Sequence, residues 1–152
     1  MSSNRHHSCV TCRRAVALGL LAALLAAGMA AAATKPRLPL VRETFTPLPC
    51  PGKPKTTLQL KACAEKRILR TDEAINGQVR IIWGSLKTDA KRARFALAER
   101  SWLAFRRATC ASRSDVHAGG TLAQLDVANC SADLNRSHVR ELTLFAAALR
   151  KR

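Results

Sequence analysis

Four cysteines, at positions 50, 63, 110 and 130, follow a start that reads as an export signal. That combination constrains the fold more than any other feature. Residues 1–14, "MSSNRHHSCVTCRR", are polar and basic, and residues 15–33 are apolar. Small residues follow the leucine-rich part and give Ala-x-Ala cleavage options after Ala30 or Ala33. This three-part pattern predicts a signal peptide over residues 1–33 and a periplasmic or secreted protein. An uncleaved membrane anchor is the competing reading, because the apolar run is near the ~20 residues that span a bilayer. In an oxidising compartment an even number of cysteines predicts two disulfides. Three pairings exist. The local one, Cys50–Cys63 with Cys110–Cys130, is favoured, and a Cys50–Cys110 link would overturn it. Each bridge would stabilise a domain of this size by roughly 3 kcal/mol. Cys9 and Cys12, with His6 and His7, resemble a zinc site in composition. They fall in the segment expected to be removed, so no metal and no cofactor is assigned.

Residues 34–55 hold all six prolines of the chain, which excludes regular helix there. They read as a Pro-rich extended leader, mobile until Cys50 ties it down. From residue 56 to 152 the pattern is helical. Thr56 or Thr57 can cap the first helix. Ile68, Ile75, Val79, Ile82 and Leu86 then mark one apolar face. Gly77 weakens the middle of that helix by about 1 kcal/mol relative to Ala. A second helix is predicted from Thr88 or Asp89, with Phe95, Ala98, Trp102, Phe105 and Thr109 on one face. Trp102 and Phe105 are expected at the centre of the core. Gly119 and Gly120 break the chain, and Thr121 can cap a short helical turn. A last helix is predicted from Ser131 or Asp133 to Leu149, with Leu134, Leu142, Phe145 and Leu149 on one side. The fold expected is all-α: a small bundle of three or four helices stapled by two disulfides.

The inventory for catalysis is thin. Beyond residue 33 the chain has His117 and His138, no Tyr, and no two His at metal-ligand spacing. Asp72 and Glu73 are adjacent, so on a helix they point apart. These features point to a non-catalytic protein. Some polar residues lie close to the apolar faces instead. Asp72 and Asn76 are one turn apart beside Ile75, and Arg106 lies one turn after Trp102. A buried Arg needs a carboxylate. Asp72, Glu99 and Glu141 are the candidates to pair with Arg106, fixing helix register.

These residues carry a family resemblance. The chain from Cys50 to about Phe145 resembles the N-terminal domain of the LprI-type lysozyme inhibitors. That family's pattern has a helical Cys followed by "D-x-x-L-N", matched by Cys63 and "DEAIN" from Asp72 to Asn76. Its most specific block, "Q-x-x-W-x-x-[FY]-R-[DN]-x-x-C", is matched by "ERSWLAFRRATC" at Trp102, Phe105, Arg106 and Cys110. Glu99 replaces the Gln, and Arg107 replaces the usual acid or amide. Gly119 to Thr121 fits a Gly-Gly-Ser/Thr turn, and Cys130, Leu134, Glu141 and Leu142 fit the last helix. There Asn135 and His138 replace the family's typical Thr and Arg. The resemblance implies a secreted, helical, disulfide-bonded domain that inhibits a lysozyme. It maps no binding residues.

Charge bears on the partner. Removing residues 1–33 takes away Arg5, Arg13 and Arg14 and no acid, lowering the formal net charge from +16 to +13. Such a chain is drawn to anionic surfaces. Anionic lipid or cell-wall polymer of the envelope is therefore the alternative partner to a lysozyme-type enzyme. Export makes intracellular nucleic acid an unexpected one.

Overall fold

The computed structural model describes residues 35–151, and the expected signal peptide and its "HHSCVTC" segment lie outside them. Three long helices follow an extended segment. Helix α1 spans Thr57–Ser85, α2 Asp89–Ser114 and α3 Thr121–Arg150, with a 3-10 turn at Asp115–His117 between α2 and α3. The fold is the all-α bundle that the sequence predicts, with two cysteine pairs at bonding distance. They are Cys50–Cys63, with Cα atoms 4.7 Å apart, and Cys110–Cys130, at 5.5 Å.

Each helix begins for a readable reason. Thr56 caps α1 through a reciprocal capping box: its hydroxyl accepts from the Gln59 amide, and the Gln59 side chain accepts from the Thr56 amide. Thr88 caps α2 by accepting from the amide of Lys91. Leu86 ends α1 by turning extended after its last carbonyls are met. Gly119 has φ +79°, a conformation that glycine adopts without the steric cost other residues meet, and lets the chain reverse into α3.

Helix α3 corrects one expectation. It is a single helix of 30 residues and starts at Thr121 rather than near Ser131. Gly120, with no side-chain bond, occupies the cap position expected of Thr121. Cys130 therefore sits inside a helix, where its rigid position faces Cys110 on α2. The polar residues of "QLDVAN" mask this helix, because up to residue 130 it buries only Ala128 and Cys130.

The main core joins Ile75, Val79 and Ile82 of α1, and Leu86 just after it, to Phe95 of α2 and Leu142 and Ala146 of α3. A second, smaller core is built from Ala64, Ile68, Ala128 and Ala132. Small residues there bring α1 and α3 close. The leader is extended but not loose, which corrects the second expectation. Leu38, Leu40 and Val41 pack on the main core and Phe45 on the smaller one. Alternate residues turn inward along it: Val41 is buried, Glu43 and Phe45 are half-buried, and Arg42 and Thr44 are exposed. That is the period-2 side-chain pattern of an extended chain lying on a surface.

The α2 face is the third correction. Phe105 is 55 % exposed, so it is not a core residue. The buried residues of α2 are Phe95, Ala96, Glu99, Arg106 and Cys110, with Trp102 half-buried beside them. At 100° per residue this buried stripe is turned about 80° from the apolar stripe. Two charged side chains hold the inward positions, and the apolar stripe of α2 is left half in solvent.

Candidate functional site

The polar interior is centred on Arg106, which is 3 % exposed. Its Nη1 donates to Asp72 Oδ1 at 3.2 Å and to Asn135 Oδ1 at 2.8 Å, and its Nη2 donates to Glu43 Oε1. The Asn135 side-chain amide donates to Asp72 Oδ1 at 2.8 Å and to the Thr71 hydroxyl at 2.9 Å. One guanidinium thus ties α2 to α1, α3 and the leader. The planar fork suits this role because it makes several directed, charge-assisted bonds at once. Asp72 was a candidate partner of Arg106 and is one. Glu43 was not a candidate, and Glu99 and Glu141 bind elsewhere.

Burial pushes the Asp72 carboxyl up from 3.8 to about 6; Arg106 opposes the rise and the nearby Glu43 adds to it. Two carboxylates share one guanidinium, so holding a proton on Asp72 leaves the buried group neutral overall. Among the described residues Asp72 Oδ2 has no hydrogen-bond partner. Oδ1 accepts both of the Asp72 carboxylate's hydrogen bonds, from Arg106 and Asn135.

A second cluster lies two turns toward the N-terminus of α2. His138 Nε2 is 2.9 Å from Glu99 Oε2, and its Nδ1 is 3.4 Å from Glu141 Oε2. The His138 ring stacks on Trp102, with centroids 3.8 Å apart and planes 9° apart. The Arg106 guanidinium carbon stands 5.6 Å from the same Trp102 ring. Trp102 is therefore the bridge between the two polar clusters, packed by a cation and an imidazole. Glu99 and His138 are buried, whereas the Glu141 side chain is 72 % exposed.

The remaining signature residues separate. Asn76 binds the leader: its Oδ1 accepts from the Val41 amide at 2.8 Å and its Nδ2 donates to the Val41 carbonyl at 2.9 Å. Gly119 and Gly120 shape the α2–α3 turn. The structure brings Asp72, Trp102 and Arg106 together and leaves Phe105 outside. The sequence reading missed Glu43 and the inward roles of Asn135 and His138. Asn135, His138 and Leu142 recur at helical spacing on α3, and polar residues in phase with an apolar face are the signal that marks buried partners.

Beside Arg106 a cleft of about 380 Å³ opens between the leader and the three helices. Phe45, Ile68, Val127 and Ala128 line it, with Lys61 and Arg107 among its charged walls. At the same end of the bundle the α2–α3 turn projects Val116, which is 81 % exposed. Asp126, Asp133 and His117 line a shallow depression next to it, and His117 pairs with Asp126. Among the described residues no group of three or more His, Cys, Asp or Glu is arranged to hold a metal ion. No helix there is long and apolar enough to cross a membrane.

The model of a protein family described as "Lysozyme inhibitor LprI" matches residues 50–142. The match includes all four bonded cysteines and the Trp102–Arg106 block. No curated protein and no solved structure matches the chain.

Proposed function

The chain belongs to the family of LprI lysozyme inhibitors, and from that premise we propose that it is an exported, non-catalytic protein that binds and blocks a lysozyme or another cell-wall lytic enzyme. The family match over most of the bundle is the observation that carries this reading. Two disulfides fit an extracytoplasmic location, where such bonds persist. Residues 1–33 are then the export signal, and N-terminal sequencing of the exported protein should begin at Ala31 or Thr34. An unprocessed start would support the anchored form instead.

Charge suggests which end meets the enzyme. Egg-white-type lysozymes are cationic, so a strongly basic surface would repel them. The half of the bundle formed by residues 57–77 and 102–135, with the leader residues 43–56 that lie on it, carries nine Lys and Arg against seven Asp and Glu. It includes the projecting Val116 turn with Asp115, Asp126 and Asp133. This near-neutral end, held rigid by the Cys110–Cys130 bridge, is the surface best suited to dock. The test is a lysozyme-activity assay with purified protein at low and physiological salt. Saturable inhibition, weakened in the triple variant Asp115→Asn/Asp126→Asn/Asp133→Asn, is the expected result. No inhibition at micromolar protein would sink the proposal.

A further inference from the structure

The opposite end of the bundle has a different character. Residues 78–101 and 136–151 carry ten Lys and Arg against three Asp and Glu. Of those acids, Glu99 is buried against His138 and Asp89 pairs with Arg92. The excess positive charge of the described chain is thus concentrated where α1 and α3 end and α2 begins.

At this end lies an open cleft of about 650 Å³. Its floor is Leu86, Phe95, Phe145 and Leu149, and its rim carries Lys87, Lys91 and Arg94. Phe145 is 41 % exposed and sits 6.1 Å, ring to ring, from the buried Phe95. Lys87, Lys91 and Arg94 are exposed, and among the described residues none of them has a carboxylate partner. Three unpaired cations therefore surround an apolar floor with an aromatic ring at its edge.

We propose that this cleft docks the protein on an anionic phospholipid surface, with Lys87, Lys91 and Arg94 taking headgroup phosphates and Phe145 and Leu149 entering the interface below them. The two features are the ones interfacial binding uses together, apolar area and attraction to anionic lipid. A soluble polyanion would use the cations and leave Phe145 idle. A second copy of the chain would bring the same three cations against themselves. The proposal goes beyond the inhibitor reading and does not depend on it. It leaves the Val116 end free, so one end can hold the envelope while the other meets an enzyme.

The experiment is co-sedimentation of the purified protein with phosphatidylcholine vesicles, with and without phosphatidylglycerol. Binding is expected only with the anionic lipid, and each cation near the surface contributes about fivefold. Lys87→Gln/Lys91→Gln/Arg94→Gln should lower affinity by about tenfold or more. The control Lys66→Gln/Arg70→Gln/Arg107→Gln removes the same charge from the other end and should change it by less than about threefold. Phe145→Gln should lower affinity several-fold with the charge intact. All these side chains are exposed, and unchanged helical circular dichroism checks that each variant is folded. Equal losses in the two charge variants would overturn the proposal, as would absence of vesicle binding or unaltered binding by the folded Phe145→Gln protein. Lysozyme inhibition by the rim variant, measured in parallel at physiological salt where distant charge is screened, should be unchanged, which separates failure of this site from failure of the inhibitor reading.

Discussion

Asp72 sets the pH response of the interior. Its carboxyl is raised from 3.8 to about 6, chiefly by burial. Between those values the folded chain holds a proton that the unfolded chain has released. Stability therefore falls as pH rises through this window and levels off above it. The full effect of a shift of about two units is about 3 kcal/mol. Other carboxylates titrate over the same range, so the informative quantity is the difference from Asp72→Asn, which cannot ionise. Denaturant unfolding at pH 4 and pH 7 should show the variant gaining about 2 kcal/mol on the native chain between the two, since part of the effect falls below pH 4. Parallel pH profiles would mean that Asp72 is ionised in the folded protein throughout. Arg106 differs in kind, because its guanidinium stays charged at every accessible pH. Its removal would leave the buried Asp72 facing the half-buried Glu43, which makes it a poor site for substitution by an apolar residue.

The leader is the element whose role was hardest to read. Six prolines in residues 34–55 announce a non-helical segment correctly. They also mask the alternation of Val41, Glu43 and Phe45 that lays it along the bundle. Helical elements were legible wherever the buried positions are apolar, as on α1, where Ile68, Ile75, Val79 and Ile82 are all buried. On α2 hydrophobic periodicity places Phe105 inside, and Glu99 enters only as a candidate partner for Arg106, because periodicity counts hydrophobic residues. A stripe whose inward positions are Glu99 and Arg106 is invisible to it until their partners are known. The pairing of Arg106 with Asp72 was within reach, since an Arg in phase with Trp102 demands an acid. Glu43 lay in a segment with no expected contacts, so nothing in the sequence nominated it. Asn76 offers a test of how firmly the leader is held. It makes two hydrogen bonds to Val41, one of each polarity, and nothing else fixes the backbone of that residue. Asn76→Ala should cost about 1–3 kcal/mol by leaving buried backbone groups unpaired. Amide exchange at Val41 should rise toward the unprotected rate, while exchange in the middle of α1 changes only by the loss in global stability. Retained protection at Val41 would show that Leu38, Leu40 and Val41 side-chain packing alone secures the leader.

For the whole molecule the uneven charge predicts two salt responses of opposite sign. Attraction between the basic end and an anionic surface is screened by salt, so vesicle binding should weaken steadily from low to physiological ionic strength. A cationic lysozyme meets the same net charge as repulsion. At low salt the Debye length is about 30 Å, long enough for the approaching enzyme to feel the far end of the bundle. At physiological salt it is about 8 Å, and the enzyme then feels chiefly the local charges around Asp115, Asp126 and Asp133. Association with lysozyme should therefore accelerate as salt is raised over this range, the reverse of the usual behaviour of oppositely charged partners. Stopped-flow association rates at about 0.01 and 0.15 M salt would read the sign directly. The rim variant Lys87→Gln/Lys91→Gln/Arg94→Gln, with less distant charge to screen, should show a smaller acceleration. A rate that falls with salt in both proteins would place the docking surface under the control of the acidic turn alone, and would remove the net charge as an obstacle to inhibition.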